Sequence, residues 1–154
     1  MSGAEVYMAT VTMPREKARA IVDGAFAKAT ADGVMPLAVV VLDAGGHPVA
    51  MERQDGAGIV RPEVAAAKAW GALGFGVSSA VLGERLSGRD AFQSAVAAAS
   101  GGRFAAVPGG VLVVDAQQRI IGAVGISGDA SPVDEACAVA GIEAAGLSAA
   151  PSAP

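Results

Sequence analysis

Four stretches of this chain set polar groups beside glycines or inside apolar runs, where a side chain can do chemistry or a backbone can receive a ligand. Arg53-Gln54-Asp55-Gly56 follows an apolar run. A guanidinium is a planar fork that matches a carboxylate, and it pairs equally with a nearby acid to pin a loop. Both readings stand for Arg53 and Asp55. Lys68 lies in an alanine-rich helical stretch beside Ala65, Ala67, Ala69 and Trp70. The expected posture is a stem along the apolar face with the ammonium snorkelling to solvent; the sharper reading is a cation in a binding pocket. Pro108-Gly109-Gly110 precedes a β-branched run, and glycine there permits close approach of a ligand or a neighbouring chain. Gly125 to Asp134 reads as strand, a loop containing Gly128, then a helix start, where free N–H groups can hold an anion. Asp129, Asp134 and Glu135 already bring negative charge there, so self-capping is expected. If the chain has a general base, Asp134 or Glu135 is the best placed.

The familiar catalytic motifs fail. No G-x-x-x-x-G-K-[ST] occurs, and Gly71-Ala72-Leu73-Gly74-Phe75-Gly76 lacks the G-x-G-x-x-G spacing. Gly125-Ile126-Ser127-Gly128-Asp129 is not a nucleophile elbow, because Asp129 replaces the last glycine. His47 is the only imidazole. It follows two glycines in a turn and reads as solvent-exposed, with metal or haem ligation as the functional alternative. One His and one Cys cannot build a Cys/His zinc site within one chain, so no metal is expected. Cys137 sits in an apolar run and reads as a buried, inert thiol.

These groups must be held by 154 residues, one domain's worth, of which 53% are hydrophobic, 17% charged and 4% aromatic. That composition excludes disorder across the whole chain and requires a core of Ala, Val, Leu and Ile. The net charge of -4 argues against general nucleic-acid binding, and no polybasic membrane segment is present. Basic residues cluster in the middle third, at Arg53, Arg61, Lys68, Arg85, Arg89 and Arg103; beyond Phe104 only Arg119 remains. This is either a set of solvated faces or the rim of an anion pocket. A lone cysteine, no secretory pattern and no run long enough to span a membrane lead to an expectation of a cytoplasmic protein. The apolar excess is expected to be buried between subunits, with the chain itself as partner.

Residues 1–11 read as a leader or edge strand. Thr12 and Pro14 open a helix whose stripe is Ala18, Ile21, Val22, Ala25, Phe26 and Ala29, capped by Gly33. Leu37–Leu42 and Pro48–Arg53 are strands around an Asp43–His47 turn. A helix opens at Pro62, with Gly71, Gly74 and Gly76 ending or bending it, and a shorter helical piece covers Val77–Leu86. Ser87–Asp90 reads as a capping box before a helix carrying Phe92, Ala95, Val96 and Ala99. Val111–Val114 and Arg119–Gly125 form a second hairpin. Ser131–Asp134 reads as a second capping box, for a helix to about Ala145. The remaining tail, to Pro154, is expected to fray. Leu42-Asp43-Ala44-Gly45-Gly46-His47 and Val114-Asp115-Ala116-Gln117-Gln118-Arg119 share one pattern. They imply two like hairpins in one antiparallel sheet of an α+β domain.

Val41–Ala50 followed by Glu52–Ala57, Ala66-Ala67-Lys68-Ala69, Val107–Val111, and Ile121–Gly128 closing on Asp134-Glu135 together resemble the GlcG/HbpS-like family. That family includes the C-terminal domain of PduO-type proteins. The resemblance spans residues 12–146 and leaves 147–154 as a flexible tail. It implies a single domain with a profilin-like antiparallel sheet of about five strands flanked by helices, assembled as homo-oligomers. Some members bind haem, and the family carries a haem-degradation label. The first helix here, Pro14 to Asp32, contains no His where some haem-binding relatives use one, so haem held by a strong axial His is not expected, and a weaker oxygen ligand or no haem at all stays open.

Three functions follow as expectations. The first is a cytosolic homo-oligomer holding a small anionic molecule, haem among the candidates, in an interface pocket. Arg53, Asp55, Lys68, Pro108, Gly109, Gly110 and Gly128 would line it. The second is a cofactor-independent isomerase, lyase or hydrolase of a small carbonyl or carboxylate compound, with Arg53 as anion anchor and Asp134 moving the proton. The third is an accessory or scaffold protein without catalysis.

Overall fold

The computed structural model describes residues 3–151. Helix α1 (Arg15–Asp32) precedes the hairpin β1 (Ala38–Asp43) and β2 (Pro48–Arg53). Helices α2 (Arg61–Phe75), α3 (Ser79–Arg85) and α4 (Asp90–Ala99) follow. The second hairpin is β3 (Gly110–Val114) with β4 (Ile120–Ser127), then helix α5 (Ser131–Ala144) and strand β5 (Ser148–Ala149). The strands form one antiparallel sheet in the order β2-β1-β4-β3-β5. The α+β expectation is met, and the hairpins join through β1 and β4, with Ala38 opposite Ser127 and Asp43 opposite Gly122.

The sheet is covered on both faces, which is why β1 reads Ala-Val-Val-Val-Leu rather than alternating. Val39, Val41, Val111, Val113, Val124 and Ile126 face α1 and α5, meeting Ile21, Val22, Cys137 and Ile142. Val40, Leu42, Leu112 and Ala123 face α2, meeting Ala65, Ala69 and Ala72. Glycines set the close approach of these layers. A Cβ on Gly125 would collide with the carbonyl oxygen of Ala65, and one on Gly141 would stand 2.5 Å from that of Ile21. Backbone against backbone replaces aromatic bulk, so a chain poor in aromatics still closes its core.

The two hairpin turns share their hydrogen bonding as well as their sequence. Asp43 Oδ1 accepts from the N–H groups of Gly45 and His47, and Asp115 Oδ1 from those of Gln117 and Arg119. Gly46 has φ 83° in the first turn, and Gln118 has φ 61° in the second. Desolvation pushes the Asp43 carboxyl upward, but the His47 and Gly45 N–H groups and the His47 ring outweigh it and hold it below its ordinary value. The Arg119 N–H, then that of Gln117 with the Arg119 guanidinium, hold Asp115 low against a smaller desolvation effect. A depressed carboxyl contributes stability above its unfolded value and loses it as pH falls through the folded one. Both turns are therefore expected to loosen in acid, below the ordinary carboxylate range. Amide proton shifts of Gly45, His47, Gln117 and Arg119 would show it, and flat shifts through that range would refute it.

Several local expectations are corrected. Residues 3–11 form no strand. Thr12 does not cap α1: its Oγ1 accepts from Ala44 N at 3.0 Å, and Pro14 takes the cap position without a side-chain bond. Neither predicted capping box forms: the caps of α4 and α5 are Arg89 and Ala130, without side-chain bonds. Ser78, which was not singled out, caps α3 by accepting from Val81 N. Gly71 and Gly74 do not break α2, which runs to Phe75 before Gly76 turns it at φ 71°. The tail does not simply fray, because Ser148 and Ala149 pair with Val114 and Val113. Residues 1–2 and 152–154 of the two terminal segments lie outside the described residues.

Candidate functional site

The predicted pocket residues separate into two groups. Lys68 and Asp134 come together, with side chains only 2% and 1% exposed, so the expectation of a snorkelling lysine is overturned. Lys68 Nζ donates to Asp134 Oδ2 at 3.0 Å and to the Ile126 carbonyl at 2.9 Å. Asp134 Oδ1 accepts from Asp129 N at 2.9 Å. The pair ties α2, β4 and the start of α5 into one unit, and each partner satisfies the other's charge in the interior.

Gly109 and Gly110 form the other wall of this arrangement. Gly109 has φ 124°, and a Cβ there would stand 2.8 Å from both Lys68 Nζ and the Ile126 carbonyl oxygen. A Cβ on Gly110 would strike the Lys68 carbonyl. Ser79 Oγ accepts from Gly110 N at 2.7 Å. The Pro108-Gly109-Gly110 segment is thus a seat for the lysine within the chain. Gly128 is likewise occupied by the chain itself, since a Cβ there would strike the Pro36 carbonyl.

Arg53 and Asp55 do not join this group. Both are exposed, and they form no ion pair with each other among the described residues. The loop is pinned instead by Gln54, whose Oε1 accepts from Leu37 N at 2.8 Å. Arg53 lies opposite Ala38, which lies opposite Ser127, where Arg61 Nη1 donates to the hydroxyl at 3.2 Å. The loop before α5 is self-capped: Asp129 accepts from Met35 N and Ala130 N, and these bonds hold its carboxyl low. Glu135 Oε2 is shielded from water and has no hydrogen-bond partner among the described residues. Cys137 is buried, and burial, with the Asp134 charge second, pushes its thiol up, as an inert core cysteine requires.

The open chemistry lies on the outer side of α2. A cleft of about 250 Å3 is lined by Leu42, Gly46, His47, Pro48, Ala66, Trp70 and Arg103. It brings the only imidazole and the only indole of the chain together with a guanidinium. Arg103 Cζ lies 4.5 Å from the Trp70 ring centroid, and its Nε donates to the Ser100 carbonyl at 2.8 Å. Gly46 brings the hairpin turn against Trp70, leaving room of only 3.0 Å between a notional Cβ and the indole nitrogen. His47 is 79% exposed, as expected, with Nδ1 3.4 Å from Asp43 Oδ1. That contact engages one ring nitrogen and leaves Nε2 without a hydrogen bond among the described residues. A second cleft of about 250 Å3 lies beyond Trp70, between Phe75 and Val96 of α2 and α4. Sequence reasoning missed Trp70 and Arg103 as partners of His47. Three distant segments supply them, and no spacing joins them in the chain.

Among the described residues no cluster of three His, Cys, Asp or Glu groups could hold a metal ion. No single described helix is long and apolar enough to cross a membrane.

Comparison with known proteins agrees with this fold. Three crystal structures superpose closely. The PduOC–haem complex gives a TM-score of 0.77 at 22% identity, covering 90% of this chain and 98% of that one. The ORFY protein of Klebsiella pneumoniae gives 0.79 at 22% identity, covering 94% and 98%. HbpS gives 0.73 at 26% identity, covering 93% and 96%. At such identities the likeness establishes the fold. No curated protein matches the sequence. The family model described as haem degrading protein HbpS-like matches residues 13–143, and the chain belongs to that family.

Proposed function

We propose that this chain is a haem-binding protein of the cytoplasm that works as a homo-oligomer. The observation that carries the haem reading is the convergence of His47, Trp70 and Arg103 on one cleft. A tetrapyrrole needs an axial donor, an apolar flat wall and cations for its carboxylates. His47 Nε2 would supply the donor, with Asp43 beside Nδ1 orienting the ring. Trp70, Leu42 and Pro48 would supply the wall, and Arg103, whose guanidinium lies over the Trp70 ring, the cation. The residues present therefore fit the group. The PduOC–haem complex on the same fold and the family description support the ligand's identity. Bound haem would bring redox and ligand-exchange chemistry at its iron. This chain's own contribution would be to hold the group through His47, Trp70 and Arg103, with Asp43 keeping the imidazole in place. The enzyme reading with Asp134 as base loses its main support, because a carboxylate 1% exposed and paired with Lys68 meets no substrate.

The test is an optical titration with haemin. The parent chain is expected to give a saturable Soret shift. His47→Ala is expected to lose the shift or weaken binding by at least about tenfold, roughly 1.4 kcal/mol. A featureless parent titration would remove haem as the ligand. A His47→Ala chain that titrates like the parent would place haem elsewhere.

A further inference from the structure

We propose that the N-terminal arm of one copy adds as a strand to the open edge of the sheet in a second copy. Residues 3–11 run without helix or strand, and among the described residues their backbone makes no hydrogen bond. The arm is nonetheless apolar: Val6, Tyr7, Met8 and Val11 are 70–87% exposed. In an extended arm Val6, Met8 and Thr10 share one face and Tyr7, Ala9 and Val11 the other, so added as a strand it has side chains for both faces of a sheet.

The sheet has two edges, and they differ. At one end β5 is two residues long and is followed by Pro151, a blunted edge. At the other, β2 offers six residues from Pro48 to Arg53 with its outer row of backbone groups unpaired. Beside β2 lies a groove of about 330 Å3 against α1, lined by Arg15, Arg19, Val22, Val49, Ala50, Met51 and Glu52. Two arginines against one glutamate make the groove basic, and the arm carries a single charge, Glu5. Charge complementarity and the free backbone rows match arm to edge, in the manner of strand addition. The occupant assigned is a second copy: the exit of each arm is fixed by the Thr12–Ala44 bond and buried Met13, and although its root at Ala9–Val11 borders Val49, the arm makes no backbone hydrogen bond with its own β2 among the described residues. This inference rests on the homo-oligomer reading proposed above and is independent of the haem reading.

Chemical cross-linking tests it on the full chain. One population carries Tyr7→Cys and a second Met51→Cys; the native Cys137 is buried and does not compete. The two are mixed and treated with a short bis-maleimide. A covalent dimer containing one chain of each kind is expected on a denaturing gel. The band should be lost when the Met51→Cys chain also carries Arg15→Glu and Arg19→Glu. It should return when the Tyr7→Cys chain also carries Glu5→Lys. Absence of the mixed dimer overturns the proposal. So does a Tyr7→Cys, Met51→Cys double variant that cross-links only within itself, which would put the arm on its own edge. A mixed dimer indifferent to the charge reversal overturns the assigned groove.

Discussion

Lys68→Ala is expected to destabilise the chain by about 3–5 kcal/mol in urea unfolding, a large share of the stability of an ordinary domain. The ammonium meets Asp134 and the Ile126 carbonyl, and all three are buried. Removing it leaves a carboxylate in the interior with only the Asp129 N–H, together with a carbonyl stripped of its side-chain partner. The penalty comes from the abandoned charge rather than from the loss of a strong attraction. Replacing both partners, as in Lys68→Met with Asp134→Leu, is therefore expected to cost much less than either change alone. A Lys68→Ala chain within about 1 kcal/mol of the parent would show that water reaches Asp134.

Gly125→Ala is the second large effect. Its Cβ would be driven into the carbonyl oxygen of Ala65 and lie 3.1 Å from the Ala69 side chain. Neither the sheet centre nor the helix can retreat without opening the core, so a loss of about 3 kcal/mol is expected, the upper end for overpacking. Gly74→Ala is the internal control. It adds the same methyl to helix α2 where nothing lies within 4 Å. It should be neutral or raise stability by up to about 1 kcal/mol. Thermal melts of the two variants side by side decide the matter, and equal melting temperatures would defeat the close-packing account.

Much of the architecture was legible because hydrophobic pattern and turn chemistry agree. Val39–Val41 and Val111–Val114 are β-branched runs, and each hairpin announces itself by an Asp before its turn. The missed elements lacked such agreement. Serines beside the starts of α4 and α5 matched a capping pattern, but their backbones begin the helix a residue or two away from it. Ser148 and Ala149 are too short and too polar to read as a strand, and only pairing with β3 makes them one.

The site was legible in part. Lys68, Asp134, Gly109 and Gly110 were singled out, and they do meet, but around each other. Helix α2 is buried at Ala65, Ala67 and Ala69, so a lysine between them has no short route to water. Alanine on both sides of Lys68 was the available sign that its face of the helix is covered, the outer face being left to Ala66 and Trp70. Arg53, flanked by Glu52 and Gln54 at the end of the edge strand β2, lies exposed. The cleft around Trp70 depends on tertiary contact between a turn, a helix and the segment after α4, which no local pattern encodes.

The central pairing of the sheet also constrains how the molecule comes into being. β1 finds β4 only after α2, α3, α4 and β3 have been made and set aside. The first hairpin can form early, yet one side of β1 stays without its neighbour until the second hairpin arrives, and α1 waits longer still for α5. Such non-local closure places the rate-limiting step late and slows folding relative to a helical bundle of this size. During synthesis the first third of the chain would leave the ribosome as helix α1 and a valine-rich hairpin that still lacks β4 and α5. That interval, rather than the finished domain, is when aggregation would compete.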